Sequence, residues 1–167
     1  MPYFYLTVLI VLLDQATKWL VQTKMVPMQS IGLVRGLFSF TYATNYGAAF
    51  GILQSQTLLL IAISLGVIIT VWVNRRKMNQ YPRMMQVGLG VALGGALGNL
   101  TDRIRLGFVV DFLDFYIWPI FNVADMAIVI GVVLIVLGIF SKDQRKGNQE
   151  PENMQGVEKA VSREEKS

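Results

Sequence analysis

Between its first residue and Ser141 the chain carries five acidic side chains, all aspartates: Asp14, Asp102, Asp111, Asp114 and Asp125. Their surroundings are largely apolar, and a carboxylate beside hydrocarbon is costly unless it has partners or a task. Asp111 and Asp125 lie fourteen positions apart and flank the aromatic stretch "FLDFYIWPIFNVA". Two carboxylates brought close cannot both ionise cheaply, so one is driven to keep a proton. An acid and a base around one water can hydrolyse a peptide, and such a pair titrates as a unit. Asp125 also follows Asn122 by three positions, which suits a capping acid at a helix start. The spacing leaves both readings open. Cysteine and histidine are absent. Thiol peptidases, serine triads with a histidine base, His/Cys zinc sites and c-type haem attachment are therefore excluded.

Further polar groups interrupt the apolar background. Asp14 and Lys18 in "LLDQATKWL" are an i,i+4 pair on one helix face. They could neutralise each other, clamp a substrate or brace the loops, and Lys18 could reach a headgroup. "GLGVALGGALGNLTDR" spaces Gly90, Gly94 and Gly98 at fours, a small-residue packing face, and ends in the cluster Asn99, Asp102 and Arg103. That cluster can orient carboxylates, bind a lipid head or simply tie the helix end down. In "TNYGAAF" Asn45 could donate to a substrate carbonyl, while Gly47 suits unusual backbone angles.

The elements that must carry these groups are membrane helices. The chain has 167 residues, 53% of them hydrophobic, with a mean hydropathy of +0.48. That fits a small polytopic membrane protein rather than a soluble domain. Four segments have spanning length: about Tyr3–Val21, Thr57–Val73, Met84–Leu100 and Val123–Phe140. The loop "NRRKMNQYPR" has four basic residues and no acid, so it and both termini are expected in the cytoplasm. Residues 22–56 and 101–122 then fall on the outer side. The alternation around Leu37–Tyr42 predicts one or two short strands there. "LGFVVDFLDFYIWPIF" reads as an interfacial segment, with Tyr116 and Trp118 at headgroup level. A single domain over 1–141 is expected, followed by a charged, disordered cytoplasmic tail over 142–167. The net charge of +4 sits in short loops and the tail and is no nucleic-acid signature.

Taken in order, "DQATK", "NYGAAF", "GGALGNLTDR", "VVDF" and "FNVAD" resemble the motif set of the lipoprotein signal peptidases, signal peptidase II. The resemblance covers residue 1 to about Phe140. It implies an all-α fold of four transmembrane helices with a small extracytoplasmic β-cradle, in the bacterial inner membrane, its active site toward the outer face. It implies an aspartic endopeptidase that cuts diacylglyceryl-modified prolipoproteins just before the lipidated cysteine, without cofactor or metal. Asp111 and Asp125 would be its catalytic pair. Asp14, Lys18, Asn45, Gly47, Gly95, Asn99, Asp102, Arg103 and Asn122 fall on motif positions that shape the site or hold substrate. Membrane lipids and globomycin-type inhibitors are implied partners. The alternative is a proton- or ion-coupled transporter using intramembrane aspartates, which would favour inverted repeats that this chain lacks.

Overall fold

The computed structural model describes residues 2–47 and 56–141. The expected tail, 142–167, and the Ala48–Phe50 end of the "TNYGAAF" motif lie outside the described residues. In chain order the elements are α1 (Pro2–Lys24), β1 (Ser30–Val34), β2 (Phe38–Asn45), α2 (Thr57–Asn74) and a 3-10 turn (Arg75–Gln80). Then follow α3 (Arg83–Leu106), β3 (Val109–Asp114) and α4 (Val123–Ser141).

Among the described residues three helical segments are long and apolar enough to cross a membrane: Tyr3–Lys24, Thr57–Gln80 and Val123–Ser141. The sequence reading expected four. The remaining one, α3, has the length, at 24 residues, but not the apolarity. Its position explains why. It runs between α1 and α4, and its buried residues are mostly glycines, with Asn99, Leu100 and Asp102. A helix flanked by protein need not be greasy, but it must be thin. A Cβ on Gly90 would stand 2.6 Å from the Tyr3 carbonyl of α1, and one on Gly94 2.7 Å from Ile10. On its other side, a Cβ on Gly88 would stand 2.6 Å from the Gly131 carbonyl of α4. Small residues thus let backbones approach, with dispersion rather than hydrophobic transfer as the gain. The Thr7 hydroxyl adds a 2.8 Å hydrogen bond to the Gly90 carbonyl across the α1–α3 seam.

The helices support a three-stranded antiparallel sheet, ordered β1-β2-β3. The strand expected near Leu37–Tyr42 is β2. β3 is a departure, because its residues read only as an interfacial stretch. "VVDFLD" is rich in β-branched and aromatic residues, yet its first four residues are all buried, so no polar–apolar alternation marks it as a strand. Gly107, at φ 80°, ends α3 in the left-handed conformation and turns the chain directly into β3. Val110 and Phe112 pack on Tyr42 and on Val21 and Met25 at the end of α1. That small core fixes the sheet over the helix ends, and with it the position of Asp111.

Candidate active site

Asp125 occupies the first turn of α4. Its backbone N–H donates to Asn122 Oδ1 at 2.9 Å, and its Oδ2 accepts from the Asn122 N–H at 3.2 Å. This reciprocal pair is a capping box, so the structural reading of Asp125 holds. It does not exhaust the residue, because Oδ1 turns to the Asn99 side chain at 2.8 Å.

Asp111 projects from β3 and is 2% exposed. Its Oδ1 accepts from Asn122 Nδ2 at 2.6 Å and its Oδ2 from Asn45 Nδ2 at 2.8 Å. Burial and the neighbouring Asp125 carboxylate push Asp111 up to about 7, against the opposing pull of the two amides.

The orientation of all three amides is dictated by groups that can only donate. Gly47 N–H faces Asn45 Oδ1 at 2.9 Å, and Asp125 N–H faces Asn122 Oδ1 at 2.9 Å. The Lys18 ammonium faces Asn99 Oδ1 at 2.9 Å. An N–H or ammonium cannot accept, so each amide must present its oxygen there and its NH2 to the carboxylates. Each of the four carboxylate oxygens therefore has an N–H donor.

Lys18 is itself caged. Its nitrogen lies 2.9 Å from Asp14 Oδ2 and 2.9 Å from Asp102 Oδ2, which with Asn99 uses its three donors. The expectation that Lys18 reaches a headgroup is corrected: it is 1% exposed and points inward. The two carboxylates in turn hold backbone. Asp14 Oδ1 accepts from Ala124 N–H at the start of α4, and Asp102 Oδ2 from Val110 N–H in β3. The cage therefore ties α1 and α3 to both elements that carry the aspartate pair. Among the described residues no buried side-chain nitrogen or oxygen lacks a partner.

Arg103 donates to the Gly47 carbonyl at 3.0 Å, pinning the loop after β2. Gly95 plays a packing part: a Cβ there would run into the Ala124 carbonyl and come within 2.9 Å of Ile128. Asn45, Asn99, Arg103, Asp111 and Asp125 line one cleft of about 1420 Å³. Its remaining walls are largely apolar faces of α2, α3 and α4, together with residues 118–121 and residues of β2 and β3 such as Ala43 and Val109. Asp14, Lys18, Gly47, Gly95, Asp102 and Asn122 stand behind it and are absent from its lining.

Two participants escaped the sequence reading. Gln15 Nε2 donates to Asp102 Oδ1 at 3.0 Å, to Asp14 Oδ2 at 3.1 Å and to the Gly98 carbonyl at 3.2 Å. The second is Gly98, where a Cβ would stand 2.5 Å from Asp14 Oδ2. An uncharged polar residue inside an apolar helix was the available signal for Gln15. Gly98 was legible only as packing. No group of three acidic side chains capable of holding a metal ion occurs among the described residues.

A family model described as signal peptidase (SPase) II matches residues 6–141. A lipoprotein signal peptidase of Halothermothrix orenii is 46% identical over 141 residues, covering 84% of this chain and 97% of that protein. One from Moorella thermoacetica is 42% identical over 135 residues, with 81% and 90% covered. A solved bacterial membrane enzyme, determined by the in meso method at 2.3 Å, superposes with a TM-score of 0.81. It shares 34% identity, with 87% of this chain and 91% of that one covered.

Proposed function

Since this chain belongs to the signal peptidase II family, we propose that it cleaves its substrate with Asp111 and Asp125 as an aspartic pair. It is a peptidase of the bacterial inner membrane that removes signal peptides from lipoprotein precursors. The transporter alternative gains no support.

The observation that carries the aspartic reading is the amide shell. Two carboxylates share one mostly apolar cleft, and each of the three side-chain amides around them is aimed by a partner that can only donate. Preorganised dipoles of this kind stabilise charge where it forms without reorganising during reaction. Asp111, the more deeply buried carboxyl, carries the shared proton. Asp125, half-buried, is the base. It takes a proton from the attacking water while Asp111 donates to the scissile carbonyl oxygen. Collapse of the tetrahedral intermediate breaks the C–N bond: the proton gained by Asp125 goes to the leaving amine, and a hydroxyl of the intermediate returns its proton to Asp111 as the product carboxylic acid forms. Asn45, Asn99 and Asn122 keep both side chains in place. Asp14, Lys18, Asp102, Arg103, Gly47 and Gly95 hold the elements that present them.

The apolar cleft suits a precursor whose signal helix and diacylglyceryl-modified cysteine lie in lipid, with cleavage just before that cysteine. Globomycin-type inhibitors would fill the same space. In this reading α3 is a fourth span, the 1–141 segment is one domain, and the basic 75–83 loop and both termini are cytoplasmic. The aspartates then lie toward the outer face.

The test is incubation of the purified protein with a synthetic precursor, with and without its diacylglyceryl group, followed by mass analysis. Asp111→Asn and Asp125→Asn should each abolish cleavage while the protein remains folded in detergent. Near-normal cleavage by either folded variant would remove that residue from the pair.

A further inference from the structure

Asp114 belongs to none of the groups described so far: it does not line the cleft, and it touches neither Asp111 nor Asp125 through any of its hydrogen bonds. Its contacts join β2 to the turn that follows β3. Oδ2 accepts from the Thr41 hydroxyl at 2.8 Å and from Ser39 at 3.4 Å. Ser39 is fully buried and Thr41 nearly so, and Thr41 is within 2.9 Å of Ser30 Oγ on β1. The other oxygen, Oδ1, accepts from the Tyr116 N–H at 2.9 Å.

Two of these bonds, to Thr41 and to Tyr116, lie where the chain geometry beside the cleft is irregular. Thr41 lies in the irregularity of the β2–β3 ladder between Phe40 and Ala43, where two residues of β2 oppose one of β3. Such a bulge shifts which side chains face one way, and beyond it Ala43 sits opposite Asp111 with both lining the cleft. Tyr116 is one of only two non-glycine residues among those described with positive φ, at 61°. A non-glycine residue holds that conformation at a cost, and the Asp114 carboxylate meets it by fixing the turn. After that turn the chain doubles back, and Phe121 pairs with Leu113 through 2.8 and 3.1 Å backbone bonds. The ring of Phe121 stacks on that of Phe115 at 5.9 Å. The reversal places residues 118–121 as one wall of the cleft beside the aspartate pair.

We infer that Asp114 is a positioning residue for substrate binding: it sets the 118–121 wall of the cleft and leaves the chemistry to Asp111 and Asp125. The inference rests on the peptidase reading. The two functions separate because Asp111 is held by Asn45 and Asn122, on bonds that do not pass through Asp114. Loss of the Asp114 carboxylate loosens the Tyr116 turn that leads into the wall, whose far end stays paired through Phe121 and Leu113, while the reacting carboxylates keep their amides.

The experiment measures kcat and KM separately for cleavage of a diacylglyceryl-modified precursor peptide in detergent. Asp114→Ala should raise KM about tenfold, the scale of a lost charge-assisted hydrogen bond, with kcat within about twofold of the parent. Asp114→Asn retains an oxygen for the Tyr116 N–H and should recover most of the affinity. Thr41→Val removes one hydroxyl at similar volume and should give a smaller rise in KM; with Asp114→Asn it carries the test if Asp114→Ala does not fold. A lower melting temperature with both kinetic constants unchanged would make Asp114 merely structural and overturn the inference. A fall in kcat at constant KM would overturn it too. If the parent cleaves no precursor, the peptidase reading fails and this inference falls with it.

Discussion

Lys18→Met removes an ammonium while keeping an unbranched, apolar stem of similar reach. The folded protein then holds Asp14 and Asp102 buried, both having lost the cation that sat 2.9 Å from each. Removing one partner of a buried ion pair costs roughly 3–5 kcal/mol, because the other charge stays desolvated. Here one cation serves two carboxylates, which puts the variant at the upper end of that range. For a chain of this size, ~2–4 °C is lost per kcal/mol, so at about 5 kcal/mol the melting temperature should fall by roughly 10–20 °C. A second consequence is kinetic. Without Lys18 only the 3.2 Å bond from Asn122 Nδ2 keeps the Asn99 oxygen turned away from Asp125, so the amide is held less firmly and kcat should fall. Thermal unfolding in detergent, followed by near-UV circular dichroism, measures the first effect, and precursor cleavage the second. The double variant Lys18→Met with Asp102→Asn should be more stable than the single one, because it removes one of the stranded charges. A single variant melting within about 2 °C of the parent would show that the Lys18 cage contributes little to stability, and a double variant no better than the single would show that Asp102 is not a stranded charge.

Asp111 also makes the protein pH-dependent. Its carboxyl titrates near 7 when folded against an ordinary 3.8, so the folded state holds a proton between those values that the unfolded chain has released. Stability therefore declines as pH rises through that window, and above about 7 the ionised carboxylate opposes folding in full. Asp111→Asn should gain on the parent in melting temperature from pH 4 to pH 7, and cleavage by the parent should fall as pH passes about 7 and the acid is lost. Gly95→Ala should cost about 1–3 kcal/mol through its collision with the Ala124 carbonyl, and it should lower kcat because Asp125 is the next residue. Gly90→Ala meets Tyr3 at a comparable 2.6 Å but far along α3 from Asn99; it should lower the melting temperature and leave kcat near the parent's. Removal of 142–167 should leave cleavage intact, as measured on the truncated protein.

What the sequence determined is the inventory and its local spacing. Apolar runs of spanning length are visible because the bilayer imposes a length, and the basic loop stands out because charge avoids lipid. Asp14 with Lys18, and Asn122 with Asp125, are read correctly as neighbours because a helix brings i,i+3 and i,i+4 positions together regardless of the rest of the fold. The glycines at 90, 94 and 98 announce a packed face for the same reason. Tertiary structure decided everything that joins different elements. Asp102 reaches Lys18 from another helix, Asn45 reaches Asp111 from the neighbouring strand, and Gln15 ties three groups together across α1 and α3. No periodicity records such contacts. Strand β3 was hidden because burial on both faces erases the alternation by which strands are recognised. The lower apolarity of α3 is itself composition; what only packing shows is why it is tolerated, its glycines lying against α1 and α4.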